Sequence, residues 1–207
     1  MVRYKHSFYR VIESHYPKNF TDLIRNINVT FLQIYPSIQF AKTSTNPMDR
    51  RMEVAGYFLA TIQTLDKAGE SYGKIRKVLL EIANDYVQPK NAWQRFSKKI
   101  PVLFVGKPFM RFILRKFGKQ VSKKDHPDGF VANLITSKEE TLGFGYGVDI
   151  LECGICKLFK RYQYERFTPL LCEVDHITSS LAGLTLKRTG TIALGAQKCD
   201  FRFERKA

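Results

Sequence analysis

A chain of 207 residues that is 44% apolar is long enough to bury a full core, so it reads as a compact globular protein. The most apolar stretch, residues 100–114, is broken by Gly106, Lys107, Pro108 and Arg111, short of the roughly 18 uninterrupted residues of a spanning helix. Residues 1–16 intersperse Arg3, Lys5, His6, Arg10 and Glu13 where a signal peptide needs an apolar run, so export is not expected and a cytoplasmic location is. The formal net charge is +15, and it is uneven: from Tyr86 to Lys124 eleven basic residues occur and no acidic one. Such a field attracts nucleic acid, an anionic membrane surface or a small anionic substrate. No zinc-finger spacing, single-strand-binding aromatic signature or helix-turn-helix accompanies it, so nucleic acid is not an expected partner. A solvated basic face is the plain alternative.

In chain order, the first half is helical. Phe8, Val11, Ile12 and Tyr16 recur at helical spacing, and after a break at Pro17 so do Phe20, Leu23, Ile24 and Ile27, up to Tyr35-Pro36. Residues 42–47 form a polar loop. The next helix carries Met52, Val54, Ala55, Phe58, Leu59, Ile62 and Leu65 and ends at Gly69. Ser71 caps a fourth helix whose Ile75, Val78, Leu79, Ile82 and Tyr86 make one stripe. The basic segment 90–124 holds one or two helices, around residues 92–99 and 109–117, interrupted by Pro101 and Pro108.

After the turn signal His126-Pro127-Asp128-Gly129 the pattern becomes extended. Residues 130–136 and 144–151 read as an antiparallel strand pair. A helix follows from Cys153 to about Tyr162, and a second starts at Thr168-Pro169, with Thr168 as cap, and stops at Gly183. Residues 184–191 and 199–204 form a second strand pair around a turn at Gly195. The fold class is therefore α+β: an N-terminal helical region, then a mainly antiparallel four-stranded sheet with two helices inserted between its strand pairs. Residues 1–127 form the helical region and 128–207 a cysteine-containing module, as two units or one continuous domain.

All four cysteines fall in that module, and without a secretory signal they read as reduced thiols. At about 100° per residue, Cys172, Asp175, His176, Ser179 and Gly183 share one helix face, opposite Leu170, Val174, Ile177, Leu181 and Leu184. A thiol, a carboxylate and an imidazole on successive turns suit nucleophilic catalysis; the plain alternative is a solvated polar stripe. Cys153 and Cys156 form a CxxC, a pattern used for zinc or redox chemistry. Cys172 and Cys199 stand alone, however, so a second knuckle is missing, and no metal ligand or cofactor is assigned. Strand alternation puts Cys199, Phe201 and Phe203 on one face and Asp200 and Arg202 on the other. Arg188 ends the apolar row of Leu184 and Leu186, where it can clamp a carboxylate or snorkel to the sheet edge.

Four pieces in order carry a resemblance: Val148-Asp149-Ile150-Leu151-Glu152-Cys153, Leu171-Cys172-Glu173-Val174-Asp175, Leu186-Lys187-Arg188-Thr189-Gly190-Thr191 and Gly195-Ala196-Gln197-Lys198-Cys199-Asp200-Phe201. Over residues 128–205 the chain resembles the L-2-amino-thiazoline-4-carboxylic acid hydrolase family. The resemblance implies hydrolytic, ring-opening cleavage of a small cyclic amidine or isothiourea, a non-peptide C–N bond, in a small and anionic substrate. On that footing Cys172 attacks or positions water, Asp175 holds the amidinium, His176 is a candidate general base, and Arg188, with Cys153 and Cys199, binds substrate. The family is also similar to vinyl-reductase accessory domains. That similarity implies the alternative of a non-catalytic small-molecule-binding or sensor domain whose cysteines hold zinc or line a pocket. Peripheral contact with an anionic membrane through Phe109, Phe112, Ile113 and Leu114 is a third expectation, and a homo-oligomer stays open.

Overall fold

The computed structural model describes residues 4–89, 91–93, 96, 100, 102, 104 and 108–205. The expected helix at residues 92–99 lies largely outside that set. Four helices build the N-terminal half: α1 Lys5–His15, α2 Phe20–Ile34, α3 Arg51–Lys67 and α4 Tyr72–Val87. In α3 an unbroken run from Ala55 to Leu65 is buried, so this helix is enclosed on all sides rather than amphipathic. Its buried Thr61 and Thr64 satisfy their hydroxyls on the carbonyls of Tyr57 and Ala60, each at 2.8 Å. At the start of α4, Ser71 is the expected cap, its side chain accepting from the Lys74 amide at 3.3 Å.

The loop before α3 is more than a polar connection. Asn46 and Asp49 are fully buried. Asn46 Nδ2 donates to the carbonyl of Phe130 at 2.9 Å and reaches those of Val121 and Lys123 at 3.4 and 3.3 Å, while Asp49 accepts from the Phe130 amide at 2.8 Å. These bonds fasten the end of α5 (Pro108–Val121) and the start of the first strand to the helical half. Pro108 opens α5, where its missing N–H leaves no bond unmade.

The sheet is antiparallel throughout, in the order β1-β2-β4-β3, with β1 Val131–Ile135, β2 Gly147–Glu152, β3 Leu184–Lys187 and β4 Cys199–Arg205. Between the strand pairs stand α6 (Gly154–Arg161) and α7 (Thr168–Leu181), so the α+β class and the two inserted helices are as the sequence indicates. Three boundaries differ: β2 begins at Gly147 rather than Phe144, whose side chain packs instead with the Leu184, Leu186 and Phe203 cluster. β3 ends at Lys187 rather than Thr191, because the carboxylate of Asp200 captures the amides of Thr189 and Gly190 and pulls the chain out of the ladder. Thr168 is not a cap but the first residue of α7, with its buried hydroxyl unpartnered among the described residues. α7 stops at Gly183, whose φ of +79° is one that side-chain-bearing residues rarely adopt.

Register determines the sheet's two faces. Ala132, Ile150 and Cys199 pair across β1, β2 and β4 and lie in the principal apolar core, together with Phe8, Ile27, Leu59 and Ile82 of the helical half. Farther along the same face, Leu184, Leu186 and Phe203 form a smaller cluster with Phe144 and Tyr146. Among the described residues no helix is long and apolar enough to cross a membrane.

Candidate functional site

The site grows from the junction of β2 and α6. β2 runs directly into Cys153, which keeps extended dihedrals as the N-cap of α6 while Cys156 occupies the first helical turn. Gly154 between them is required by a close approach: a Cβ there would stand 2.9 Å from both the Asp128 carbonyl and Met52 Sδ. The neighbouring Cys156 thiol and, to a lesser degree, the amides of Cys156 and Ile155 shift the Cys153 thiol downward, against burial and the Asp175 charge, although its side chain makes no capping hydrogen bond. Cys156 is pushed in the other direction by Cys153 and by burial. The two thiols are therefore shifted apart, Cys153 toward the thiolate and Cys156 toward the protonated form.

α7 supplies the opposite wall. It packs on β3, so the face carrying Cys172 and Asp175 turns down toward the sheet instead of toward solvent. Arg188, just past β3, reaches under this helix. Its Nη1 lies 3.2 Å from Asp175 Oδ2, its Nη2 donates to the Cys172 carbonyl at 3.3 Å, and its guanidinium lies 5.2 Å from the centre of the Phe201 ring. The Arg188 side chain is only 10% exposed, so it is a buried clamp and not a snorkelling arginine. Cys199 is buried beside it and accepts from the Ile192 amide at 3.2 Å.

Electrostatics tie these groups into one neighbourhood. Burial raises the Cys172 thiol to about 12, Asp175 adds to the rise and Arg188 opposes it, so Cys172 stays protonated at neutral pH. Burial also lifts Asp175 above the ordinary carboxylate range, against the pull of Arg51, Arg188 and His176. Cys199 is raised by burial as well, despite the Ile192 amide. Cys153 and Asp175 each perturb both Cys172 and Cys199, so helix and strand periodicity, which set these cysteines apart, conceal how close they lie.

The structure thus gathers Cys153, Cys172, Asp175, Arg188 and Cys199, and leaves His176 on the exposed side of α7. Three contributors escape the sequence patterns. Cys156 is visible there only as half of a CxxC. Arg51, at the start of α3, lies near enough to act electrostatically on Asp175, and the same charge acts on the half-buried Tyr146 of the β1–β2 connection. Among the described residues, no group of three or more His, Cys, Asp or Glu side chains is placed to hold a metal ion, and all four cysteines are free thiols. A cluster with a thiol shifted toward its thiolate, a carboxylate and guanidinium groups can attack an electrophilic carbon while holding a cationic and an anionic group of one small molecule.

Comparison with known proteins gives one match: the family model described as L-2-amino-thiazoline-4-carboxylic acid hydrolase fits residues 50–203, a span that contains every residue of this cluster. No curated protein and no solved structure gives a significant match.

Proposed function

Since the chain belongs to the L-2-amino-thiazoline-4-carboxylic acid hydrolase family, we propose that it hydrolyses a small cyclic amidine or isothiourea, such as 2-amino-thiazoline-4-carboxylate, with ring opening. The observation that carries this reading is the buried Arg188, bonded to both Asp175 and the Cys172 carbonyl, in one electrostatic neighbourhood with Cys153, whose thiol is shifted downward at the start of α6. In this scheme the Cys153 sulfur bonds to the carbon between the ring nitrogen and ring sulfur of the substrate amidinium, and its π electrons move to nitrogen. The tetrahedral adduct collapses by breaking one ring bond from that carbon, and the departing atom takes the proton held on Cys156. Water then gives its oxygen to the same carbon, one proton to Cys156 and the other to solvent, and Cys153 leaves as thiolate. Asp175 holds the amidinium, while Arg188 and Arg51 face the substrate carboxylate. Cys172, a neutral thiol, and Cys199 line the wall, and His176 has no step. Four free thiols suit a reducing compartment such as the cytoplasm.

The test is incubation of the purified protein with 2-amino-thiazoline-4-carboxylate, read by mass spectrometry as the gain of one water. Cys153→Ser is expected to lower turnover on the order of a thousandfold or more with its melting temperature preserved. Unchanged turnover in that variant would overturn the nucleophile assignment. Stoichiometric binding without turnover in the wild type would make the chain a small-molecule-binding domain instead.

A further inference from the structure

Helix α5 carries two apolar stripes where an ordinary surface helix carries one. Met110, Leu114, Phe117, Gly118 and Val121 recur on one side, and this is the side that packs inward. Leu114 and Val121 are buried, Phe117 packs on the principal core, and a Cβ on Gly118 would lie 3.3 Å from Leu134 Cβ on β1. Leu114 therefore belongs to the inward stripe and not, as its neighbours suggest in sequence, to an outward contact. On the opposite side stand Phe109, Phe112 and Ile113, exposed by 54%, 73% and 50%, with Lys116 and Gln120 continuing the row and Arg115 and Lys119 flanking it. Nothing among the described residues covers this second stripe.

The same stretch exposes Trp93 by 72%, Phe96 by 54% and Phe104 by 37%, with Trp93 against Phe96 at a ring separation of 6.3 Å and Phe104 against Phe109 at 5.7 Å. Large exposed aromatics set in a segment of eleven basic and no acidic residues combine the two terms that hold a helix in a lipid interface. Apolar side chains enter the acyl boundary, and Lys and Arg pair with anionic headgroups. A basic surface that binds nucleic acid requires the charge but not an aliphatic and aromatic row at helical spacing. A protein groove would suit the row but gives no reason for so one-sided a charge.

We propose that the outward face of α5, with Trp93, Phe96 and Phe104, docks the protein onto an anionic lipid bilayer, lying in the interface plane without crossing it. The inward stripe keeps the helix attached to the sheet edge, so docking leaves the cysteine cluster intact.

Trp93 is the only tryptophan in the chain and reports the event directly. With vesicles of phosphatidylcholine and phosphatidylglycerol in equal parts, at low salt, co-sedimentation and a blue shift of Trp93 emission are expected; with phosphatidylcholine alone, neither. Phe112→Asp combined with Ile113→Asp should weaken vesicle binding by about tenfold or more at unchanged melting temperature. Lys116→Glu should weaken it by about fivefold and reduce its salt dependence. Equal binding to neutral vesicles, no binding to anionic ones, or binding indifferent to the Phe112 and Ile113 changes overturns the proposal. So does a concentration-dependent dimer, or binding of single-stranded RNA, that those same changes abolish while vesicles are ignored.

Discussion

Two aspartates, one on each side of the sheet, are treated in opposite ways. Asp149 lies on the outer face, 8% exposed, with Lys198 Nζ at 2.5 Å and Arg202 Nη1 at 2.8 Å. Burial alone would raise it, but the bonds from Arg202 and Lys198 hold its carboxyl below the ordinary range. Asp175 lies on the helix side. Although 30% of its side chain is accessible, protein surrounds it enough for desolvation to dominate, and one guanidinium at 3.2 Å does not reverse the rise. A carboxylate fully neutralised by its own fold serves as a structural pin. One left under-compensated keeps a demand for positive charge that a cationic ligand can meet.

The sharpest way to break this contrast is to remove each carboxylate in turn. Asp149→Ala leaves Arg202, 15% exposed, and Lys198 facing each other without an anion between them, and should cost about 3 kcal/mol in urea-induced unfolding. Turnover of the folded fraction should survive, because neither cation touches the cysteine cluster. Asp175→Asn should act the other way. Its amide oxygen still accepts from Arg188, so stability should change by about 1 kcal/mol or less, while turnover on the cyclic amidine falls by roughly ten- to a hundredfold. If Asp175→Asn unfolds the protein instead, Asp175 is a pin as well and the contrast fails.

Acid titration separates the two by sign. The folded-state pKa of Asp149 is below the unfolded value of about 3.9, so its stabilisation is complete above that pH and is lost as pH falls through the folded value. Asp175 has a raised folded-state pKa, so its contribution is complete below about 3.9 and lost as pH rises through the folded value. Urea midpoints measured between about pH 3 and pH 7 should therefore shift in opposite directions. Asp149→Asn should flatten the acid loss, and Asp175→Asn should remove a decline toward neutral pH.

How legible this was depended on whether the cause is local. Helices α1 to α4 follow from apolar spacing, the start of α4 from Ser71, and the strand pairs from alternation, because each is determined within a few residues. Asn46 and Asp49 read as loop polarity, since the carbonyls and amide they satisfy belong to residues 75 to 84 positions away. The cysteine cluster lies between these extremes. Periodicity gives the correct face for Cys172 on α7 and for Cys199 on β4, but cannot say that α7 lies over that strand face. Arg51 gave no signal at all, being one cation among the 34 lysines and arginines. The pair Cys153 and Cys156 did give one, but as a CxxC it pointed to zinc or redox chemistry and left the nucleophile at Cys172, because the downward shift of Cys153 depends on where Cys156 and the start of α6 lie in space.

The smallest expected effect belongs to His176. It follows Asp175 directly on α7 and is exposed, and its positive form is one of the charges that pull the Asp175 carboxyl down. If Cys153 begins the reaction already ionised, no general base is needed for attack, and an imidazole on the solvent side of α7 can act only through Asp175. His176→Ala should thus keep turnover within about twofold at neutral pH and stability within about 0.5 kcal/mol. It should also move the acid limb of the pH–rate profile slightly upward, since Asp175 loses a stabilising charge. A loss of about tenfold or more, concentrated in kcat, would instead route the proton through His176. Cys172, one turn back on the same helix with its thiol raised to about 12, would then be the group in need of that base.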